Sequence, residues 1–201
     1  MRFFALPGHL HRVEFYRRRL PHWHPPGADL FVTWRLHGSL PACRPAPQAS
    51  AGEDFVAMDK QLDTAATGPL WLKTPEVARS VSQVLDAGMA QWRLYQLHAW
   101  VIMSNHVHLL LSPQVPVHKA IMNVKSASAR AANKILNRTG SPFWQDESYD
   151  HWVRNDRERN AIVRYIHLNP VNAGLVDDPE DWPWSSAARQ RMALPHISPI
   201  N

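Results

Sequence analysis

Cysteine is nearly absent from this chain, which has one, Cys43, among 201 residues. A single cysteine excludes an intrachain disulfide and any zinc site built mainly from cysteines, and it favours a reducing compartment. Long hydrophobic runs are also missing, because the most apolar stretch, 97–111, is interrupted by three histidines, a serine and an asparagine. A membrane-spanning helix needs about 20 apolar residues, so we expect no membrane segment.

Carboxylates are missing from a long stretch of a chain that is basic overall. With 22 Lys and Arg against 17 Asp and Glu, the formal charge is +5. No Asp or Glu lies between Asp86 and Asp146, an interval that holds Arg93, Lys119, Lys125, Arg130, Lys134 and Arg138. A surface without carboxylates does not repel a polyanion, so this gap favours phosphate binding. Charge alone fits a mildly basic solvated surface equally well.

Proline, glycine and charge divide the chain into three predicted parts. A run of three arginines followed by prolines predicts an irregular basic arm over 1–28. A domain follows over 29–176, and a tail over 177–201. An insertion over 42–69, rich in proline and alanine, interrupts the domain and carries one short helix near 55–62.

The middle of the chain alternates strand-like and helix-like patterns. Residues 29–37 are rich in β-branched and aromatic side chains and predict a first strand. Thr74 before Pro75 predicts the start of a helix that ends near Trp92. The later elements are a hairpin over 95–103 and 105–111, a helix over 116–137, a short strand over 151–153, and a helix from 155 that stops before Pro170. This order predicts an α+β fold of the ferredoxin-like β-α-β-β-α-β type, an antiparallel sheet with helices on one face, plus a C-terminal helix.

The helix predicted over 116–137 has two contrasting faces. At 100° per residue, its apolar and basic side chains fall on opposite sides. The apolar side comprises Val117, Ile121, Val124 and Ile135. The basic side comprises Lys119, Arg130 and Lys134, which we call the basic ridge. We expect this ridge to contact a phosphate backbone.

Two histidines mark the second strand of the hairpin. Side chains alternate along a strand, so His106 and His108 share one face, about 7 Å apart, while Val107 and Leu109 share the other. Neutral imidazole is a common ligand of divalent metals. A bare His-x-His pair is more often part of a solvent-facing strand surface, so a metal site requires a third group from elsewhere.

Tyr165 and Asn169 lie on one face of the last predicted helix, because they are four residues apart. The amide oxygen of Asn169 can complete a site for Mg²⁺ or Mn²⁺ with two histidines. Tyrosine can act as a nucleophile towards a phosphodiester when a metal polarises its target. From the pattern alone, packing of the tyrosine and a helix stop at the asparagine remain the alternative.

Several separate runs resemble one family, the REP-associated tyrosine transposases, which are related to the single-tyrosine HUH transposases of insertion sequences. The matching runs occur in the family's order and cover 30–41, 97–113, 143–155, 165–176 and 182–186. The insertion over 42–69 matches nothing in this pattern.

The resemblance implies a ferredoxin-like core and a metal-dependent transposase and endonuclease. It makes His106 and His108 the metal ligands, Tyr165 the nucleophile and Asn169 the third ligand of Mg²⁺ or Mn²⁺. It implies cleavage and rejoining of single-stranded DNA beside REP-like hairpins through a 5′-phosphotyrosine. It also implies a bacterial, cytoplasmic, nucleoid-associated protein that acts as a monomer or homodimer. A non-catalytic hairpin-binding protein, or an RNA-directed nuclease, remains an alternative.

Other aromatic and histidine residues compete for roles. Among the four tyrosines, Tyr149 is the second candidate nucleophile. Trp144 is the tryptophan that we expect to stack on an unpaired base. His22 and His24 form another His-x-His pair, but in an arm for which no regular strand is predicted, so we expect a surface role there.

Overall fold

The computed structural model describes residues 16–17, 21–22, 27–40, 58–64 and 68–193. In the N-terminal arm, the short strands β1 (Tyr16–Arg17) and β2 (Pro21–His22) pair antiparallel. This pair corrects the prediction that the arm has no regular strand. The rest of the predicted arm before residue 27, with His24, lies outside the described residues, as do 41–57 and 65–67 of the insertion.

A four-stranded antiparallel sheet forms the centre of the fold, in the order β4-β5-β3-β6. Its strands are β3 (Leu30–Arg35), β4 (Tyr95–Ile102), β5 (His106–Pro113) and β6 (Tyr149–Trp152). Helix α2 (Pro75–Ala90) connects β3 to β4, and α3 (Val117–Ile135) connects β5 to β6. The predicted α+β, ferredoxin-like β-α-β-β-α-β architecture is confirmed. The two central strands, β3 and β5, are rich in branched and aromatic residues because both of their faces are covered.

Helices α2 and α3 cover one face of the sheet with an apolar core. The buried members of this core include Val32 and Trp34 of β3, Val107 and Leu109 of β5, and Val77, Val81, Ile121 and Val124 of the helices. Helix α2 starts as predicted, with Thr74 extended before Pro75 at the first helical position. In both helices the apolar side chains recur at helical spacing, so they form one apolar stripe, which packs against the sheet.

The opposite face of the sheet is covered by α4 (Asp156–Asn172), in which Ile166 packs against Phe31, Val101 and Leu110. Asn155 caps the helix by accepting a hydrogen bond from the backbone N–H of Glu158 at 2.9 Å. The prediction that this helix stops before Pro170 is wrong, because the proline lies inside its last turn. Proline has no backbone N–H, so one hydrogen bond of the helix is missing there. The loss lies close to the C-terminus, where the last carbonyl groups have no partner within the helix in any case.

Helix α3 is the longest helix described, with 19 residues. Its basic ridge is exposed as predicted, whereas Ile135, predicted on the apolar side, is 40% exposed because it lies in the last turn, beyond the sheet contact. Neither α3 nor any other helix in the described part of the chain combines the length and apolarity needed to cross a membrane.

Two segments outside the ferredoxin-like core complete the fold. Residues 58–63 of the insertion form a helix, α1, close to the predicted 55–62. After α4, the chain returns along the edge strand β4, where the backbone N–H of Ile102 donates to the carbonyl of Trp184 at 2.8 Å. Helix α5 (Ser186–Ala193) follows. The Ser186 hydroxyl accepts from the backbone N–H of Trp100 at 3.0 Å, so the folded unit extends past residue 176.

Candidate active site

The two histidines of β5 lie side by side beneath α4. Alternation along the strand turns His106 and His108 to this face, and both side chains are fully buried. Their Nε2 atoms are 2.9 Å apart. The solvent-facing strand surface that a bare His-x-His pair allows is therefore not what the structure shows. Two ring nitrogens at this distance require a proton or a cation between them.

The hydrogen bonds on the far side of each ring orient the pair. Asn105 donates through Nδ2 to the carbonyl of Leu62 at 2.9 Å, so its Oδ1 faces Nδ1 of His106, at 2.7 Å. An amide oxygen only accepts, so His106 carries its proton on Nδ1 and presents a bare Nε2. Nδ1 of His108 lies 2.7 Å from the Thr33 hydroxyl, which either donates or accepts.

Burial also decides the charge of His106. Burial, together with the neighbouring His108, lowers the pKa of His106 to about 3. The ring is therefore neutral at physiological pH, which is the form that binds a metal ion.

A carboxylate that the sequence analysis missed faces both rings. Oδ1 of Asp59, on α1, lies 3.2 Å from Nε2 of His108 and 3.5 Å from Nε2 of His106. Burial opposes ionisation of Asp59, yet attraction to the two histidines and a hydrogen bond from Asn169 prevail, so its pKa lies below the usual value. Asp59, His106 and His108 each offer one ligand atom, and these three atoms lie within 4.8 Å of one another.

Asp63 lies one helical turn after Asp59 on α1. Its Oδ1 is 3.8 Å from Nε2 of His106. Burial, and repulsion from Asp59, raise the pKa of Asp63 to about 7. Two aspartates four residues apart in a predicted short helix were the signal in the sequence that could have indicated this cluster.

Helix α4 brings Tyr165 and Asn169 to the same place. The hydroxyl of Tyr165 donates a hydrogen bond to Oδ2 of Asp59, and its ring packs edge-on against His108, with centroids 5.6 Å apart. Asn169 is buried, and its Nδ2 lies 3.4 Å from both Oδ2 of Asp59 and Nε2 of His108. The structure thus brings four predicted site residues together, although the amide nitrogen of Asn169, and not its oxygen, faces the cluster.

The donor set suits a hard divalent cation. Within the part of the chain that the structure describes, three buried side-chain oxygens here accept no hydrogen bond: Oδ1 of Asp59, Asp63 and Asn169. Buried acceptors without partners are costly in a folded protein. Carboxylate and amide oxygens with imidazole nitrogens are ligands that Mg²⁺ or Mn²⁺ accepts. The residues present therefore fit such an ion.

The predicted DNA-contacting residues lie elsewhere. The basic ridge, Lys119, Arg130 and Lys134, lies on the outer side of α3, which covers the opposite face of the sheet from the histidines. The ridge therefore does not surround the histidine pair, because a four-stranded sheet separates the two. Its contact with DNA stays a prediction for a separate surface.

Trp144 is a core residue in the structure. It is 6% exposed, donates through Nε1 to the hydroxyl of Ser128 at 2.9 Å, and packs edge-on against Trp34 and Phe143. Burial of both ring faces corrects the expectation that Trp144 stacks on an unpaired base.

Tyr149, the competing tyrosine, lies on the edge strand β6. It is half-buried and contacts Phe31 edge-on, with ring centroids 6.3 Å apart. Burial, and repulsion from Asp150, raise the pKa of its phenol. Tyr165, by contrast, contacts both Asp59 and His108, which favours it as the site tyrosine.

Comparison with known proteins finds similarity to one group of transposases. Residues 72–169 match the family model described as "Transposase IS200 like". A REP-associated tyrosine transposase of Escherichia coli strain K12 is 26% identical, over 48% of this chain and 57% of the relative. A protein described as a putative REP-associated tyrosine transposase of Haemophilus influenzae strain Rd is 29% identical, over 47% of this chain and 60% of the relative. The chain thus spans less than two thirds of the length of these relatives.

A solved structure shares the fold. It is a REP-associated tyrosine transposase bound to a REP hairpin, with 19% identity and a TM-score of 0.56, and the match covers 89% of this chain and 85% of that one. These comparisons confirm the resemblance that the motifs indicate: the chain is similar to REP-associated tyrosine transposases and, over residues 72–169, to the IS200-like transposases.

Proposed function

We propose that the protein is a metal-dependent tyrosine transposase that cleaves and rejoins hairpin-containing single-stranded DNA. One observation carries this proposal. The hydroxyl of Tyr165, on α4, and the Nε2 atoms of His106 and His108, on β5, converge on a single buried carboxylate, that of Asp59 on α1. A packing role for the tyrosine does not require this convergence.

In this proposal, His106 and His108 hold a Mg²⁺ or Mn²⁺ ion. Both imidazoles are held by hydrogen bonds at Nδ1, which orients Nε2 towards the shared position. Asp59, through Oδ1, and Asn169, through its amide, lie beside the two histidines and are the candidates for a third ligand. A bound divalent ion would polarise the scissile phosphate and offset its charge.

Tyr165 is the proposed nucleophile. Its phenol oxygen forms a bond to phosphorus, the bond from phosphorus to O3′ breaks, and O3′ takes up a proton as the phenol gives one up. The products are a 5′-phosphotyrosine and a free 3′-hydroxyl. Because one phosphodiester replaces another, the reverse attack by a 3′-hydroxyl can rejoin the strand.

The proposed partner is DNA that contains a REP-like hairpin with a single-stranded flank. The related solved structure is bound to a REP hairpin, and the present chain carries the basic ridge on its far face. Because the ridge lies across the sheet from Tyr165, it would hold the duplex stem and not the scissile phosphate. We propose that the protein works in the bacterial cytoplasm at the nucleoid, as a monomer or homodimer.

Covalent capture of labelled DNA tests the proposal. The chain is incubated with end-labelled hairpin DNA and Mn²⁺, with EDTA as control, and adducts are resolved under denaturing conditions. We expect an EDTA-sensitive adduct from the unaltered chain and from Tyr149→Phe, and none from Tyr165→Phe, which should still bind the hairpin.

Three outcomes would contradict the proposal. A full-strength adduct from Tyr165→Phe would remove the assigned nucleophile. Hairpin binding by the unaltered chain without EDTA-sensitive cleavage would favour the non-catalytic hairpin-binding protein. Equal reaction with a matched RNA would favour an RNA-directed nuclease.

A further inference from the structure

We infer that Asp59, and not Asn169, supplies the third protein ligand of the metal ion, and that Asn169 is a positioning residue for Asp59. This inference rests on the proposed function, because it assigns roles within the same site. It makes the insertion, through α1, part of the active site.

The distances among the three candidate ligand atoms support Asp59. Neighbouring ligands of an octahedral ion with bonds of about 2.1 Å are separated by about 3.0 Å. The two Nε2 atoms are 2.9 Å apart, and Oδ1 of Asp59 lies 3.2 and 3.5 Å from them. These three atoms therefore have the spacing of ligands on one face of a single ion. Asp63 approaches His106 at 3.8 Å, so it is a poorer match.

The orientation of Asn169 argues against the amide as a ligand. Its Nδ2 is the atom that lies 3.4 Å from Asp59 and from His108, and an amide nitrogen has no lone pair available to a cation. Exchanging nitrogen and oxygen would set Oδ1 against Oδ2 of Asp59, acceptor against acceptor. The carboxylate therefore holds Asn169 as a donor, and Asn169 in turn orients the carboxylate.

The two oxygens of Asp59 have different partners. Oδ1 faces the imidazole pair and accepts no hydrogen bond in the described part of the chain, while Oδ2 accepts from the hydroxyl of Tyr165. A single carboxylate thus sets the separation between the ion and the nucleophile. It also adds a negative charge to a neutral ligand set, which strengthens binding of a hard divalent ion.

Helix α1 is docked firmly enough to deliver such a ligand. Leu62 is buried beside Asp59, and its carbonyl accepts from Asn105, the residue before the histidine motif. The same amide accepts from Nδ1 of His106 through its oxygen. The helix that carries Asp59 and the ring that Asp59 faces are therefore positioned by one side chain.

Mn²⁺ binding to the DNA-free protein tests this inference without relying on activity. Affinity is measured by titration calorimetry and by the loss of the free Mn²⁺ signal in electron paramagnetic resonance. Loss of a group that only orients a metal ligand weakens affinity by about 10- to 100-fold, so we expect at least a tenfold loss when the proposed ligand itself is changed, in Asp59→Ala and in Asp59→Asn. Asn169→Ala should lose less, and Asp63→Asn, the matched control on the same helix, should lose least.

A double variant separates positioning from ligation. If Asn169 acts only through Asp59, the double variant Asp59→Ala/Asn169→Ala should bind Mn²⁺ no more weakly than Asp59→Ala alone. The effects of substituting coupled residues are not additive. Circular dichroism confirms that each variant is folded.

The outcomes distinguish this inference from the proposed function. A larger loss from Asn169→Ala or Asp63→Asn than from Asp59→Ala overturns the assignment. So does an unchanged affinity in Asp59→Ala when His106→Ala abolishes binding, and the proposed function then stands without it. If His106→Ala also leaves Mn²⁺ binding unchanged, the metal centre itself is wrong, and both fail.

Discussion

The two faces of strand β5 lie in different surroundings. On the side of α2 and α3, Val107 and Leu109 pack into a continuous apolar core. One residue away, on the side of α4, His106 and His108 lie equally buried among polar groups, several of which accept no hydrogen bond in the described structure. Burial is the same on both sides, but over residues 106–109 polar and apolar side chains alternate between the two faces.

The two faces differ in what they contribute to the free energy of folding. Burial of branched side chains stabilises the α2/α3 face by about 25 cal/mol per Å² of apolar surface. Each buried polar atom without a partner costs about 1–3 kcal/mol. The polar cluster beneath α4 therefore lowers stability but preorganises a set of ligand atoms, and substitutions in this cluster and in the α2/α3 core should separate stability from activity.

The largest expected effect is on the α4 face. His108→Ala should reduce the covalent DNA adduct by at least about 1,000-fold, because it removes a proposed metal ligand, a loss of the size that removal of one essential catalytic group causes. Adduct yield under single-turnover conditions, with Mn²⁺ in excess, measures this. An adduct within tenfold of the unaltered chain would show that the imidazole is not a ligand.

Substitution of Leu109, the adjacent residue on the α2/α3 face, should affect stability and not metal binding. Leu109→Ala should lower the free energy of unfolding by about 2–5 kcal/mol, because it leaves a cavity in the apolar core. Mn²⁺ affinity of the folded fraction should stay within about threefold, since Leu109 faces away from the ligands. Urea unfolding followed by Mn²⁺ titration at low temperature checks both. Loss of Mn²⁺ binding without loss of stability would break the comparison.

A glycine on α2 permits one of the close contacts of the apolar face. A Cβ at Gly88 would collide with the phenol of Tyr95, whose hydroxyl donates to the carbonyl of Leu85 at 3.0 Å. Gly88→Ala should therefore cost about 1–3 kcal/mol, as overpacking does. Combining it with Tyr95→Phe should recover part of this loss. Thermal melts of the three variants measure the effect, and a neutral Gly88→Ala would contradict the packing.

The basic ridge tests whether the outer side of α3 contacts DNA. Replacing Lys119, Arg130 and Lys134 by alanine should weaken hairpin binding and reduce the slope of log K against log salt concentration by about 2–3, since each phosphate contact contributes about 0.7–0.9. The rate of adduct formation from bound DNA should not change, because the sheet separates the ridge from Tyr165. An unchanged salt slope would remove the ridge from the DNA surface.

The smallest expected effect is on the pH dependence of stability, through the ion pair between Asp29 and the first turns of α4. Asp29 accepts hydrogen bonds from Ser112 and, at 2.9 Å, from Arg159 of that helix. Burial opposes its ionisation, but these bonds and the attraction of His98 prevail, so its pKa lies below 3.8. The stability from ionised Asp29 is therefore complete above the unfolded-state pKa and is lost as pH falls through the lower folded-state pKa.

Asp29→Asn should flatten this acid dependence. Relative to the unaltered chain, melting temperatures should differ most at neutral pH and converge at acid pH, below the folded-state pKa of Asp29, with a difference in stability of less than about 1 kcal/mol because the pair is partly solvated. Asp156→Asn, with an exposed carboxylate on the same helix, is the control. Parallel curves for Asp29→Asn and the unaltered chain would show that the ion pair contributes nothing.

The parts of the structure that follow from short-range periodicity could be predicted from the sequence. The alternation along β5 gives the shared face of His106 and His108, and the four-residue spacing on α4 gives that of Tyr165 and Asn169. The order of strands and helices gives the ferredoxin-like fold. Each of these depends on neighbours within a few residues.

What could not be predicted depends on long-range contacts. Asp59 meets His106 across 47 positions of sequence, from an insertion whose composition indicates only a loop and a short helix. The charge pattern does not specify which face of the sheet α3 covers, so the separation of the basic ridge from the histidines could not be predicted. The orientation of the Asn169 amide depends on Asp59, so it could not be derived before Asp59 was placed.

The two hydrogen bonds of Asn105 have a thermodynamic consequence. One amide both docks α1 and fixes the tautomer of His106, so undocking α1 releases the constraint on the ring. Apparent metal affinity is then the intrinsic affinity multiplied by the fraction of molecules with α1 docked. By reciprocity, a bound ion must favour docking of α1 by the same factor. Proteolysis or hydrogen exchange within residues 58–64 should therefore slow as Mn²⁺ is added, which makes the insertion a reporter of the metal centre.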